Sequence, residues 1–223
     1  MDKQRETAEV SQKAILLNAL AARMNNEKKS GQPYIVGIDG ITGAGKTMFA
    51  QSLSDALSFQ GKHVFIIHVD DFLNPKSIRY EGDEKKNFYS KSFNLRQLHT
   101  ILKRIKKQRQ LHEDYDFLNP QTDTITLSRR YDITPDTFVI VEGVFVSREF
   151  MRNDFDVTLY LDANVEIAKH RAHERNTAGP TDREQWLPNE LEMKYQEKIL
   201  PGFARYEQSS NPRGESTILI DNS

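Results

Sequence analysis

The residues Gly40-Ile-Thr-Gly-Ala-Gly-Lys-Thr47 have the types and spacing to hold a chain of phosphates, and they fit the pattern Gly-x4-Gly-Lys-[Ser/Thr]. Gly40, Gly43 and Gly45 let the backbone curl so that successive N–H groups converge on an anion. Ile41, Thr42 and Ala44 are the intervening members of that curl. Lys46 is spaced to reach the β- and γ-phosphates of ATP, and the Thr47 hydroxyl to take one position on Mg²⁺. An apolar run, Tyr34 to Ile38, precedes the loop, and Met48, Phe49, Leu53, Ala56 and Leu57 follow it at helical spacing. Strand, loop and helix in that order bring the positive end of a helix dipole to the bound anion.

A phosphate loop does not by itself say where the phosphate goes, so the other polar groups at strand ends must decide. Asp70 and Asp71 close the apolar run His63 to Val69, Glu142 closes Phe138 to Val141, and Asp162 closes Val157 to Leu161. A kinase acting on a small alcohol needs a base beside the acceptor hydroxyl, cations around the γ-phosphate and a cover against water. Asp70 is the candidate base, with Asp71 the alternative and a turn pair or helix cap the plainer reading of both. Glu142 is the candidate carboxylate supporting Mg²⁺. Asp162 reads equally well as a residue at a helix N-terminus. Arg171 and Arg175, four apart, share one helix face and can neutralise charge on a phosphoryl group in flight. The loop Asn176 to Arg183 follows them directly.

The elements that would position these groups alternate in type. An amphipathic helix from about Thr7 to Lys28 ends in Ser30-Gly-Gln-Pro33, and Gly61 ends the helix after the phosphate loop. Lys76 to Ser92 is polar without periodicity and reads as a mobile loop. Leu95, Leu98, Ile101, Leu102 and Ile105 make a helix with a basic last turn, Lys103 to Arg109, read as a solvated end. His112 to Tyr131 reads as two short strands around a turn, 164–175 as a charged helix, 187–208 as a long helix with a break at Pro201, and 216–220 as a last strand. Strands alternating with helices at this spacing predict an α/β fold on a parallel sheet, with ligands at the carboxyl ends of its strands.

Composition narrows the partners. Over 223 residues Lys+Arg and Asp+Glu nearly cancel, at 31 against 32, and no basic cluster is interleaved with aromatics, so neither nucleic acid nor a membrane is expected. The absence of cysteine excludes disulfides, thiolate metal sites and a Cys nucleophile. No apolar run approaches the ~20 residues that span a bilayer. A cytoplasmic protein is the expectation, with homo-oligomerisation left open.

Taken in order from about Tyr34 to Asp221, the chain resembles the uridine kinase/phosphoribulokinase family of P-loop kinases, which also holds nicotinamide riboside kinases and bacterial pantothenate kinase. Gly40 to Thr47 is similar to the family's ATP-binding loop, and His68-Val-Asp-Asp-Phe-Leu-Asn-Pro75 to the segment whose first aspartate, here Asp70, serves as base. Val141-Glu-Gly143 fits the metal-associated glutamate, and Arg171 and Arg175 fall where lid arginines are carried. Tyr115-Asp-Phe117 before a hairpin looks like a nucleoside-contacting segment. Thr217 to Asn222 looks like the terminal strand and loop near the adenine. Two positions depart: Leu118-Asn-Pro120 stands where uridine kinases carry a histidine–serine–arginine stretch, and Phe88-Tyr-Ser-Lys91 where they carry Phe-Asp-His-Pro. The resemblance implies a P-loop NTPase fold with helices on both sheet faces, a small hairpin insertion and a lid. It implies one kinase domain over 1–223, with an N-terminal helix in 1–33, a substrate-side insertion in 76–131 and a lid in 164–185. It also implies transfer from ATP–Mg²⁺ to a hydroxyl of a small, nucleoside-like molecule, with Tyr115 as an acceptor contact; Arg79, in the loop that would cover the acceptor, is a further candidate contact, to an anionic group. The alternatives are a nucleotide-hydrolysing switch, for which no guanine-reading Asn-Lys-x-Asp is found, and a nucleotide-binding member without a substrate.

Overall fold

The computed structural model describes residues 2–177 and 187–223. Residues 178–185 of the lid expected over 164–185 therefore lie outside the described residues, as does Arg183.

Two strands whose residues are all buried form the middle of the sheet: β1 (Tyr34–Asp39) and β5 (Phe138–Glu142). Such unbroken apolar runs belong where both faces are covered. With β2 (Val64–His68), β6 (Val157–Asp162) and β7 (Ile218–Asp221) they make a five-stranded sheet in the order β2-β5-β1-β6-β7. Every pairing is parallel. The register sets His68 beside Glu142 and Asp39 beside Tyr160. The strands' carboxyl ends thus bring residues far apart in sequence to one edge.

Helix α1 (Asp2–Glu27) packs on α2 (Lys46–Phe59), and α2 on β1, β2 and β5. Five leucine and isoleucine positions in α5 (Leu95–Gln108), Leu95, Leu98, Ile101, Leu102 and Ile105, are buried as one stripe, and the Asn94 side chain caps its start by accepting from Gln97 N at 3.2 Å. β3 (Leu111–Asn119) and β4 (Thr124–Ile133) form the antiparallel hairpin, longer than the sequence suggests. α6 (Val165–Thr177) follows β6.

Three expectations change. Lys76 to Ser92 is not a mobile loop: it holds α3 (Lys76–Arg79) and α4 (Glu84–Lys91). Asn87 Nδ2 donates to the Arg79 and Glu81 carbonyls, each at 2.9 Å, and the Phe88 ring packs against Phe145 with centroids 5.4 Å apart. A Cβ on Gly202 would stand 2.7 Å from Phe88, so that glycine makes room for α4. Tertiary packing of two aromatic residues, Phe88 and Tyr89, overrides the polar local sequence. Next, β2 ends at His68, and Asp70 and Asp71 lie in a 3₁₀ turn, Val69–Phe72, not at a strand end. Residues three apart eclipse in such a turn, so Val69 and Phe72 are buried together while the two aspartates project elsewhere. Finally, the long helix is three pieces: α7 (Pro188–Lys194), a π-helical turn (Tyr195–Ile199) and α8 (Leu200–Ser210). Pro201 has no N–H to give, and its ring would crowd the carbonyl four residues back; the wide turn immediately before it absorbs both. A short helix, α9 (Pro212–Glu215), leads into β7. Among the described residues no helix is long and apolar enough to cross a membrane.

Candidate active site

The loop after β1 turns through three glycines with positive φ, 148° at Gly40, 89° at Gly43 and 86° at Gly45. At Gly43 a Cβ would sit 1.9 Å from the Ala168 carbonyl oxygen of α6, and at Gly40 2.6 Å from that of Leu161. Glycine is needed there for space as well as for dihedral freedom. The loop's carbonyls are taken by outside donors: Ile41 O by Lys46 Nζ at 2.8 Å, Thr42 O by the Tyr195 hydroxyl at 3.0 Å, Ala44 O by Asn222 Nδ2 at 2.7 Å. Because α2 begins at Lys46, its first N–H groups have no carbonyl four residues back inside the helix and are suited to an anion. Gly43→Ala should lower stability by roughly 1–3 kcal/mol from backbone strain alone, more once α6 must shift, and weaken ATP binding with it. Thermal denaturation and calorimetric titration with ATP read both; a variant indistinguishable from wild type in each would show that the loop needs no glycine there.

Asp39 anchors the start of the loop. It is completely buried and accepts from Gly40 N at 2.7 Å, from Ser147 N at 2.8 Å and from the Tyr206 hydroxyl. Burial pushes its carboxyl above the ordinary aspartate range, against these three donors.

Glu142, 4% exposed, collects the next group. Its Oε1 accepts from the Thr47 hydroxyl at 3.0 Å and lies 2.7 Å from His68 Nδ1. Burial raises its pKa, but His68, the Lys46 ammonium and Thr47 outweigh that and hold the carboxyl below the usual glutamate range. The hydrogen bond to Glu142 in turn raises His68. Burial depresses the Lys46 ammonium, against the pull of Glu142, Asp39 and Asp70, with Arg175 adding to the depression. Among the described residues no three or more His, Asp or Glu side chains gather into a metal cage. One hydroxyl touching one carboxylate suits Mg²⁺, which takes one or two protein ligands and fills the rest of its octahedron with phosphate and water.

Asp70 joins Lys46, Thr47 and Glu142 in lining a cavity of about 760 Å³. Asp71 does not line it; its Oδ1 lies 3.8 Å from Arg129 Nη2 of β4. Arg171 and Arg175 line the cavity from α6, and one arm of Arg171 donates to the Asn222 carbonyl at 2.7 Å. Arg79 lines it as well, with Nε donating to the Asn74 carbonyl at 2.8 Å. Tyr115 is the departure: it is not among the lining residues, and its hydroxyl donates to Glu113 at 2.9 Å and accepts from Arg104 at 3.1 Å. Asp162 pairs with Arg213 at 2.7 Å, and it is Asn164 whose side chain accepts from Glu166 N at 2.9 Å at the start of α6. Sequence reading missed His68 and Tyr195 as members of the site; Asn222 it associated with the adenine, and the structure has its Nδ2 on the Ala44 carbonyl. His68 stands two residues before Asp70, but the partner it addresses is 74 residues away.

Comparison with known proteins bears on the family and the fold. Residues 35–180 match the model of the phosphoribulokinase / uridine kinase family. A pantothenate kinase of Streptococcus gordonii is 32% identical over 151 residues, 60% of this chain and 46% of that protein. One from Streptococcus pneumoniae is 29% identical over 158 residues, 64% of this chain and 49% of that protein. The chain thus spans about half the length of the curated relatives it matches. Among solved structures, the "possible uridine kinase" of Bacillus stearothermophilus superposes with a TM-score of 0.72 at 22% identity, covering 96% of this chain and all of that one. A D-glycerate 3-kinase of Cryptococcus neoformans superposes at 0.64 with 11% identity, covering 96% of each chain. At such identities the likeness is one of fold.

Proposed function

The chain belongs to the phosphoribulokinase / uridine kinase family, and from that premise we propose that it moves the γ-phosphate of ATP to a hydroxyl of a small molecule. The observation that carries this reading is the shared cavity: Asp70 opens onto the same space as Lys46, Thr47 and Glu142. Gly40 to Thr47 hold the triphosphate through backbone N–H groups, and Lys46 addresses the phosphates that part. Thr47 and Glu142 would hold Mg²⁺, which supplies charge neutralisation across the β- and γ-phosphates when bound. Asp70 orients the acceptor hydroxyl and takes its proton as the new O–P bond forms and ADP leaves. Arg171 and Arg175 meet the charge on the transferring group. The cytoplasm, where ATP is supplied, belongs to the same reading.

The test is ADP release from ATP–Mg²⁺ over a panel of hydroxy acids, sugar alcohols and nucleosides. A kinase releases ADP in proportion to an acceptor and yields a phosphorylated product; a hydrolytic switch releases it without either. The two arginines should separate kinetically. Arg175→Ala should lower kcat by on the order of 10–100-fold, the loss of one charged hydrogen bond in the transition state, with KM for ATP little changed. Arg171→Ala should also raise KM for ATP, because Asn222 loses a tie that helps position the loop carbonyl of Ala44. Should Arg175→Ala raise KM and spare kcat, Arg175 serves ground-state binding instead.

A further inference from the structure

A loop whose N–H groups converge on one anion must turn its carbonyls outward, because the C=O and N–H of a trans peptide point in opposite directions. The outward carbonyls of Gly40 to Thr47 have donors. Ile41 O accepts from Ala44 N at 3.0 Å as well as from Lys46, so it keeps a partner when Lys46 turns to phosphate. Thr42 O and Ala44 O are taken by side chains from distant parts of the chain, the Tyr195 hydroxyl and Asn222 Nδ2. Thr42 O is the more consequential, since it shares a peptide with the N–H of Gly43, which lines the cavity. Gly43 has a φ of 89°, and a peptide beside a glycine turns over easily unless its oxygen is held.

Tyr195 is built to hold it. The residue is fully buried, and burial pushes its hydroxyl up to about 12, so the group stays a donor near neutral pH. It opens the π turn, whose Lys198 and Ile199 line the cavity, as do Leu191 and Lys194 of α7. Tyr195 is not among the lining residues; its hydroxyl reaches the phosphate loop across 153 positions of chain. The same π turn packs on α4. One tyrosine thus ties a wall of the cavity to the backbone of the loop.

We propose that Tyr195 is a positioning residue for the triphosphate: its hydroxyl keeps the Thr42–Gly43 peptide turned so that the Gly43 N–H is presented to phosphate. Tyr195 acts through the loop and not on the phosphates themselves, and the loop is set for ATP only while the π turn is seated. The inference rests on the reading of Gly40 to Thr47 as the triphosphate site and deepens it; the identity of the acceptor does not enter.

The experiment is Tyr195→Phe in the whole chain, which keeps the buried ring and removes one oxygen. Displacement of a fluorescent ATP analogue by ATP, by inorganic tripolyphosphate and by adenosine separates the loop from the rest of the nucleotide site. ATP and tripolyphosphate should bind about tenfold more weakly, the loss of one hydrogen bond to a loop carbonyl, while adenosine changes less than about twofold. With any acceptor that supports turnover in the wild type, KM for ATP should rise by a similar factor. The value of kcat should change less than about threefold, since the loop holds ground state and transition state alike. A purely structural role would lower the melting temperature and all three affinities together, and that result overturns the inference. Unchanged affinities, or a kcat that falls while KM for ATP stays put, overturn it as well. Wild-type protein that binds ATP but releases no ADP with any acceptor overturns the kinase reading, and the displacement result still decides this inference.

Discussion

Lys46→Ala lowers acceptor-dependent ADP release by roughly 10²–10⁴, the usual cost of removing one electrostatic stabiliser from a transition state. Lys46 is 8% exposed and its ammonium rests on the Ile41 carbonyl at 2.8 Å, so it is held by the loop and ready to turn to an incoming phosphate. Its charge also supports the buried Glu142 carboxylate. Truncation therefore removes a partner from Glu142, but His68 and Thr47 remain, so the fold should survive with a reduced melting temperature. Lys46→Met separates the two effects, because it keeps the stem's packing and deletes only the charge. Both variants should lose turnover alike, and the methionine variant should melt closer to wild type. A Lys46→Met protein that transfers phosphate at the wild-type rate would place the γ-phosphate somewhere other than this loop.

How far the site was legible beforehand depended on whether its signal was local. Gly40 to Thr47 could be read because each constraint, the positive φ at Gly43 and Gly45 and the helix start at Lys46, acts within a few residues. The central strands could be read because burial on both faces leaves an uninterrupted apolar run. The segment 76–92 could not, since α4 stands on Phe88 and Tyr89 packing against Phe145, a contact across more than fifty positions of chain. Tyr115 shows the complementary case: its local motif matches a ligand-contacting one, while the partners of its hydroxyl, Arg104 and Glu113, could not be read from that motif. Lys198 and Tyr195 were illegible because they belong to a π turn. Five-residue spacing of its hydrogen bonds rotates side chains off the faces that a 3.6-residue period assigns. The acceptor end of the site is assembled from such non-local pieces, which is why reaction type could be read further than substrate.

Asp70→Asn lowers acceptor-dependent turnover by roughly 10²–10⁴, the range for loss of a general base, and leaves ATP affinity near wild type. The amide keeps the size of the carboxylate and cannot take a proton. The comparison that makes this decisive is Asp71→Asn. Adjacent residues of a 3₁₀ turn point in different directions, and here Asp70 lines the cavity while Asp71 lies 3.8 Å from Arg129 of the hairpin. Its side chain is 16% exposed and the Arg129 partner 41% exposed, a half-solvated pair of the kind worth at most about 1 kcal/mol. Asp71→Asn should therefore cost a little stability and change turnover less than tenfold, the equivalent of at most about 1.4 kcal/mol in the barrier. Nucleotide titration, ADP release and a melting curve on the two variants give the answer together. If Asp71→Asn proves the damaging change, the turn presents the other carboxylate to the acceptor when ATP is bound, and the base has been assigned to the wrong neighbour. If neither substitution matters while slow, acceptor-independent ATP hydrolysis persists, no carboxylate in this turn serves as a base, and the nucleotide switch replaces the kinase.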